Sequence, residues 1–301
     1  MPNWSLAELA EKVAAVAHGD TSVAILGVCS VENPRPGHIA MAETSEHLTM
    51  LEGVAAVLHG PGLVCQGAGL SHDEPRLILA RLLELFYPEP RNVAGIDPSA
   101  VVDPRAVIDP SAHVGPHCVV GPRARIGPGC YLQAFVSVGE EARLEEGCRL
   151  YAHAVVGESS HLGPDCRLEP WAQVGNGARL GASVDLGAHT SLGHGVEVGA
   201  GAKLDNLVVV GPRSRIGERC LLVGQSSVDR DAVLHSGVIL AGQSAVGPEA
   251  ELVGGVQLGG RSLALGKLAQ PGPYLGNPAR PLKEEMRARA RKRKGEQGAS
   301  S

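Results

Sequence analysis

Three histidines, His117, His153 and His189, recur 36 residues apart, and Phe135 and Trp171 stand halfway between them. Imidazole at regular spacing has two chemical uses. It titrates near neutrality, so it can take a proton from an attacking amine or hydroxyl. Three neutral imidazoles can also hold Zn²⁺ with one position open for hydroxide. Alternation of His with Phe and Trp, however, makes an exposed apolar stripe, which is the composition of a contact between subunits. The stripe His117, Phe135, His153, Trp171, His189 is therefore assigned to a subunit interface, on one face of the molecule. Seven cysteines include no Cys-x-x-Cys pair, which argues against a disulfide framework or a zinc ribbon.

These positions share a frame. Every sixth residue from Ile96 to Leu258 is Ile, Leu or Val, without a slip. More than half of these are followed by Gly, as suits a turn with unusual backbone angles. The fifth position of each hexad is small (Ala100, Ala106, Ala112, Cys118, Ala124, Cys130), and Cys148, Cys166 and Cys220 fall there too. Small buried core residues explain those cysteines better than metal or catalysis. A hexad is a short strand plus a turn, three hexads make one triangular coil, and stacked coils bury the aliphatic ladder. Residues 18 apart lie one rung apart in one column, at about 4.8 Å. The unbroken register predicts no large excursion between residues 96 and 263. Low aromatic content (3%) with 40 Gly and 21 Pro agrees with a narrow aliphatic stack.

The flanks have no hexads. Residues 1–95 read as a small α+β domain: helices over Leu6 to Ala17 and Glu74 to Phe86, with strands at Val23–Val28 and Val54–Leu58 between them. Pro88 and Pro90 mark the linker, residues 96–270 form the β-helix, and residues 271–301 form a turn and a basic helix. A net charge of −5 gives no reason to expect nucleic acid. The absence of an 18-residue apolar run predicts no membrane insertion. The acidic start, without a basic-then-apolar pattern, predicts a cytoplasmic protein.

The order of small α+β domain, long hexapeptide helix and C-terminal helix resembles the UDP-3-O-acylglucosamine N-acyltransferase (LpxD) family of lipid A biosynthesis. The stretches that carry the resemblance are Leu6-Ala7-Glu8-Leu9-Ala10, His18-Gly19-Asp20, Gly37-His38-Ile39, Ile96-Asp97-Pro98-Ser99-Ala100-Val101, Leu204-Asp205-Asn206, Cys220-Leu221-Leu222-Val223-Gly224-Gln225 and Gly276-Asn277-Pro278-Ala279-Arg280-Pro281-Leu282. The resemblance implies a mainly β protein, a left-handed parallel β-helix, assembled as a homotrimer with its sites between subunits. It implies an acyltransferase that moves a hydroxyacyl chain from acyl carrier protein to the amine of a UDP-sugar, with no cofactor. It implies a substrate role for Asp205 and Asn206, and carrier-protein docking by the basic tail, here Lys283, Arg287, Arg291 and Lys294.

The sequence departs from that family at functional places. Where the family has its catalytic His, this chain has Pro212, which cannot accept a proton. Gly247-Pro248 replaces a later Gly-His, the glycine-rich insertion is missing, and Ala40-Met41-Ala42-Glu43-Thr44 lacks the family's uridine-binding pattern. His194 lies 18 residues before Pro212, in the same column, and is the candidate for a relocated base. The alternative is a catalytically inactive trimeric relative that acts as a binding or scaffold protein. A third reading takes His153, His189 and His194 as an echo of the zinc spacing of γ-class carbonic anhydrases, without the flanking signature of that class.

Overall fold

The computed structural model describes residues 4–87 and 93–298, with side chains described as far as Arg291. The chain divides into two compact units, Met1–Arg91 and Asn92–Ser301. The linker prolines Pro88 and Pro90 lie outside the described residues.

In the first unit, helix α1 (Leu6–Val13) opens on a capping box: the Ser5 side chain accepts from the Glu8 N–H, and the Glu8 carboxylate accepts from the Ser5 N–H. The reading that carried this helix to Ala17 is too long. Ala14 turns left-handed (φ 58°), and Val16–His18 pairs antiparallel with Gly69–Ser71, so tertiary pairing of a β-branched segment overrides the local pattern. The remaining strands of this sheet, Ala56–His59, His38–Ala42 and Gly27–Cys29, run parallel. Helix α2 (Ser45–Met50), begun by the Thr44 side chain accepting from the His47 N–H, was not anticipated. Helix α3 (Pro75–Phe86) matches expectation and packs Ile78, Leu82 and Phe86 into a core with Leu6, Leu9 and Leu58.

The second unit is a left-handed parallel β-helix built from three sheets of twelve, ten and ten strands. The first sheet carries Ile96, Val114 and their successors, the second Val102 and Val120, the third Ile108 and Ile126. Each strand is essentially two residues long. In Arg149–Leu150, for example, Leu150 is buried and Arg149 points outward, and both pair in register with Arg167 and Leu168 one coil on. The predicted absence of any large excursion holds, since two-residue strands recur every six residues from Gly95–Ile96 to Glu251–Leu252.

The glycine reading needs correction. Positive φ belongs to the fourth hexad position, at residues such as His153 (63°) and Trp171 (66°), and not to the glycine-rich second position. The second-position glycines are there because successive coils approach too closely for a side chain. A Cβ on Gly175 would lie 2.6 Å from the Gly193 carbonyl carbon. Gly177, at the fourth position with φ +67°, has nothing within 4 Å of its notional Cβ. We expect Gly175→Ala to cost roughly 1–3 kcal/mol, as overpacking does, and Gly177→Asn to cost under about 1 kcal/mol, because Asn tolerates this conformation. Thermal denaturation followed by circular dichroism checks this, and equal losses would count against close approach as the cause.

From Ala112 on the fifth-position side chains are buried, as expected, and the thiols and hydroxyls among them also donate. The thiols of Cys130, Cys148 and Cys166 point at the carbonyls of Glu145, Gly163 and Gly181 on the next coil, at 2.9, 3.2 and 3.1 Å. Ser160, Thr190 and Ser214 do the same with hydroxyls at 2.8, 2.7 and 2.7 Å. Burial pushes the Cys118 and Cys220 thiols above the usual range, as for structural rather than reactive sulfur.

After Ala264 the repeat shortens by two residues, so that Leu258 pairs with Tyr274 and Glu251 with Lys267. The strand Ala279–Pro281 then pairs antiparallel with Gly272–Gly276, and helix α4 (Leu282–Gly298) packs on both. No helix among the described residues is long and apolar enough to cross a membrane.

Candidate functional site

The outward residues of the third sheet form a column: Arg125, Arg143, His161, Arg179, Glu197, Arg215, Val233, Glu251 and Lys267. Along it runs an open groove of about 730 Å³, floored by Gly163, Gly181, Gly199 and Gly217. At its two ends stand the pairs that bear chemistry. The His161 Nε2 lies 2.7 Å from Glu145 Oε1, and the His235 Nε2 lies 3.0 Å from Glu251 Oε1. In each pair the residues are 16 apart, because the second position of one hexad and the last position before the matching hexad one coil on lie side by side. An imidazole whose Nε2–H donates to a carboxylate keeps Nδ1 free as a proton acceptor, in a fixed orientation.

The two pairs are not equivalent. Lys267 Nζ also sits 2.8 Å from Glu251, and its hydrogen bond, followed by that of His235, holds the Glu251 carboxyl below the usual carboxylate range. The Glu145 carboxylate is paired with His161 and has no lysine beside it among the described residues. One rung beyond His161 is the exposed guanidinium of Arg179, also in the groove wall.

Neither pair was singled out from the sequence, where the fourth-position histidines drew attention. Coil arithmetic held for the predicted base: His194 and Pro212 occupy equivalent turn positions on adjacent coils, at the corner between the second and third sheets. His194 is exposed, and among the described residues its ring has no hydrogen-bond partner to orient it. Asp205 and Asn206 are tied into the scaffold. Asn206 Oδ1 accepts from the Ala188 N–H at 2.7 Å, and the Asp205 carboxylate accepts from the N–H groups of Asn206 and Gly224 at 2.8 and 3.1 Å. Both line a hollow of about 540 Å³ on the first sheet, with Arg167 and Lys203. On α4, Lys283, Arg287 and Arg291 are exposed at four-residue spacing, and the Lys294 side chain lies outside the described residues.

The stripe His117, Phe135, His153, Trp171, His189 does form a column, but it runs along a corner of the prism and not on a face, because the fourth position is the left-handed turn residue. Its rings stack at centroid distances of 5.0, 4.8, 4.1 and 6.1 Å. Beyond Leu207 the same corner continues as a hydrogen-bonded ladder. Gln243 Nε2 donates to Gln225 Oε1 at 2.9 Å, and Arg261 Nε donates to Gln243 Oε1 at 2.7 Å. The zinc reading fails within one chain. His153 and His189 are separated by the Trp171 ring, and His194 is on a different corner. No group of three His, Cys, Asp or Glu among the described residues could hold a metal ion.

A family model described as the GMPPB C-terminal domain matches residues 92–192. Among solved structures, the Arabidopsis UDP-N-acetylglucosamine acyltransferase is 24% identical over 65% of this chain and 76% of its own, with a TM-score of 0.59. The Moraxella catarrhalis UDP-N-acetylglucosamine O-acyltransferase (LpxA) is 22% identical over 64% of this chain and 77% of its own, with a TM-score of 0.35. LpxA from Acinetobacter baumannii is 21% identical over 64% and 77%, with a TM-score of 0.37. The Arabidopsis likeness shows the fold, a left-handed β-helix shared with that enzyme. The Arabidopsis protein is named a UDP-N-acetylglucosamine acyltransferase, whereas the sequence reading pointed to the UDP-3-O-acylglucosamine N-acyltransferase family.

Proposed function

We propose that this protein is an acyltransferase that moves an acyl group from a carrier thioester to a sugar amine or hydroxyl, with His161 as general base. The observation that carries the reading is the 2.7 Å His161–Glu145 pair at the head of an open groove. In the reaction His161 Nδ1 takes the proton as the amine or hydroxyl attacks the thioester carbonyl. A C–N or C–O bond forms, the C–S bond breaks, and the proton passes to the departing thiolate. Arg179, one rung away, is the donor for the oxyanion. The sequence resemblance suggests the particular form of the substrates, an acyl carrier protein donor and a UDP-linked glucosamine acceptor. It also suggests a trimer, in which a second copy would wall the groove. The decisive experiment is an acyl-transfer assay with purified protein, carrier-protein thioesters and UDP-sugar amines or alcohols.

One observation favours a second reading. Pro212 stands where the resembled family keeps its base, and a binding or scaffold protein without turnover would tolerate that change. Complete inactivity in the assay, with UDP-sugar still bound, would select this reading.

The exposed row Lys283, Arg287 and Arg291 supports carrier docking on α4. Opposite charge speeds encounter and is screened by salt. Deleting residues 283–301 is expected to weaken carrier-protein binding in low salt without lowering the melting temperature of the β-helix. Equal affinity with and without the tail would refute the assignment.

A further inference from the structure

The first unit holds two imidazoles that no step of the acyl transfer uses. His18 ends the edge strand Val16–His18, and His59 ends the inner strand Ala56–His59. Gly69–Ser71 runs between them, with Gly69 in register with both His18 and Val57. Gly69 leaves the space in which the two rings meet, since a Cβ there would lie 2.7 Å from the His18 Cε1 and Nε2. The two Nε2 atoms face each other at 2.7 Å. His59 is only 5% exposed, and its Nδ1–H donates to the Gly60 carbonyl at 2.8 Å. A neutral imidazole that donates from Nδ1 has a bare Nε2. The His59 lone pair therefore points at His18, whose Nε2–H donates to it. His18 is half-buried, and its ring makes no other hydrogen bond among the described residues.

We propose that this pair binds a divalent first-row transition-metal ion, which takes the place of the shared proton. Imidazole nitrogen suits copper, nickel and zinc. A ligating His characteristically gives its other ring N–H to a carbonyl or carboxylate, which fixes tautomer and ring orientation. His59 already does so with Gly60. Two nitrogens about 2.0–2.1 Å from one tetrahedral zinc stand about 3.3–3.4 Å apart, so the pair must open by about 0.6 Å. His18 supplies that movement from the edge strand, and its proton passes from Nε2 to Nδ1. The loop 60–68 after His59 carries no Lys or Arg to repel a cation. Asp20, two residues after His18, is already engaged by the Ser22 N–H and hydroxyl at 3.0 and 2.6 Å. The chain thus offers two ligands, and water completes the coordination. The bound ion ties the edge strand to the inside of the sheet across Gly69, and this site does not depend on acyl transfer.

The test is calorimetric titration of the metal-free full-length protein with Cu²⁺, Ni²⁺, Zn²⁺ and Mg²⁺. One transition-metal ion per chain is expected at this pair, Cu²⁺ tighter than Ni²⁺, with no binding of Mg²⁺. Affinity should fall roughly tenfold or more in His18→Gln and in His59→Gln and stay unchanged in His153→Gln/His194→Ala. Saturating Zn²⁺ should raise the melting temperature of the wild type and leave that of His18→Gln where it was. His59 is buried, so His59→Gln can fail to fold. His18→Gln, on a half-buried edge position, then decides alone, with circular dichroism to confirm its fold. Equal affinity in wild type and folded His18→Gln would overturn the proposal and leave the pair a hydrogen bond only. Loss of binding in His153→Gln/His194→Ala instead would also overturn it, placing the ion on the exposed histidines of the β-helix.

Discussion

Replacing His161 by Gln should lower acyl transfer by roughly 100- to 10,000-fold, the usual worth of general-base assistance. Gln keeps the size and a donor for Glu145 but cannot accept the proton. The effect should fall on kcat rather than KM, since His161 acts on the reacting proton and not on remote parts of the substrate. Glu145→Gln should show a smaller loss, because the imidazole remains and loses only its orienting acceptor, 2.7 Å away. His194→Ala should leave the rate nearly unchanged, because that ring is exposed and unsupported. Steady-state kinetics on the three variants decide the matter. If His194→Ala abolishes turnover while His161→Gln does not, the base is the histidine beside Pro212 and the groove assignment is wrong.

Trp171→Glu should convert a trimer into monomers. Phe135 and Trp171 are 49% and 47% exposed in the single chain, large exposures for rings at φ 63° and 66°. Bulky side chains in the left-handed region carry a backbone penalty of about 1–2 kcal/mol each. Stacking on His153 and His189 offsets part of that, at about 0.5–1.5 kcal/mol per ring pair. Burial of the corner against a second copy would supply the rest. A central aromatic anchor is typically worth about 2–4 kcal/mol to an interface, so a buried carboxylate there should dissociate it. Sedimentation velocity reads the result, with Trp171→Phe as the control that should remain assembled. A trimer that survives Trp171→Glu would show that the copies meet elsewhere.

Much of this architecture is legible in the sequence, because a six-residue register leaves each side chain one direction to point. The inward Leu and Val residues, the small fifth position and the stacked column at His153 and Trp171 all follow from counting in sixes and eighteens. What counting in eighteens misses is contact between unlike positions. His161 meets Glu145 at an offset of 16, and Cys130 meets the Glu145 carbonyl at an offset of 15. Those offsets join one hexad position to a different one on the next coil, which a count within a single column does not reveal. The reason for the second-position glycines was misread for the same cause. Sequence shows that Gly is preferred there, and only the distance from Gly175 to Gly193 shows that close approach between coils, not dihedral freedom, is the reason. In the first unit, where no repeat disciplines the chain, helix α1 was drawn four residues too long and α2 was not anticipated.

The two-residue shortening after Ala264 has a consequence for growth. A stack of identical coils is a one-dimensional template, since each coil offers the next a complete row of backbone donors and acceptors, and nothing internal says when to stop. On the first sheet the row ends in a strand of opposite direction, Ala279–Pro281, which presents the wrong polarity to an incoming parallel strand. Its last residue is a proline, and Pro278 stands just before it, so the outer edge is also short of N–H groups to offer. The first sheet thus carries its own chain terminator at this end, and one side of a coil surface that could seed a fibre is closed to growth.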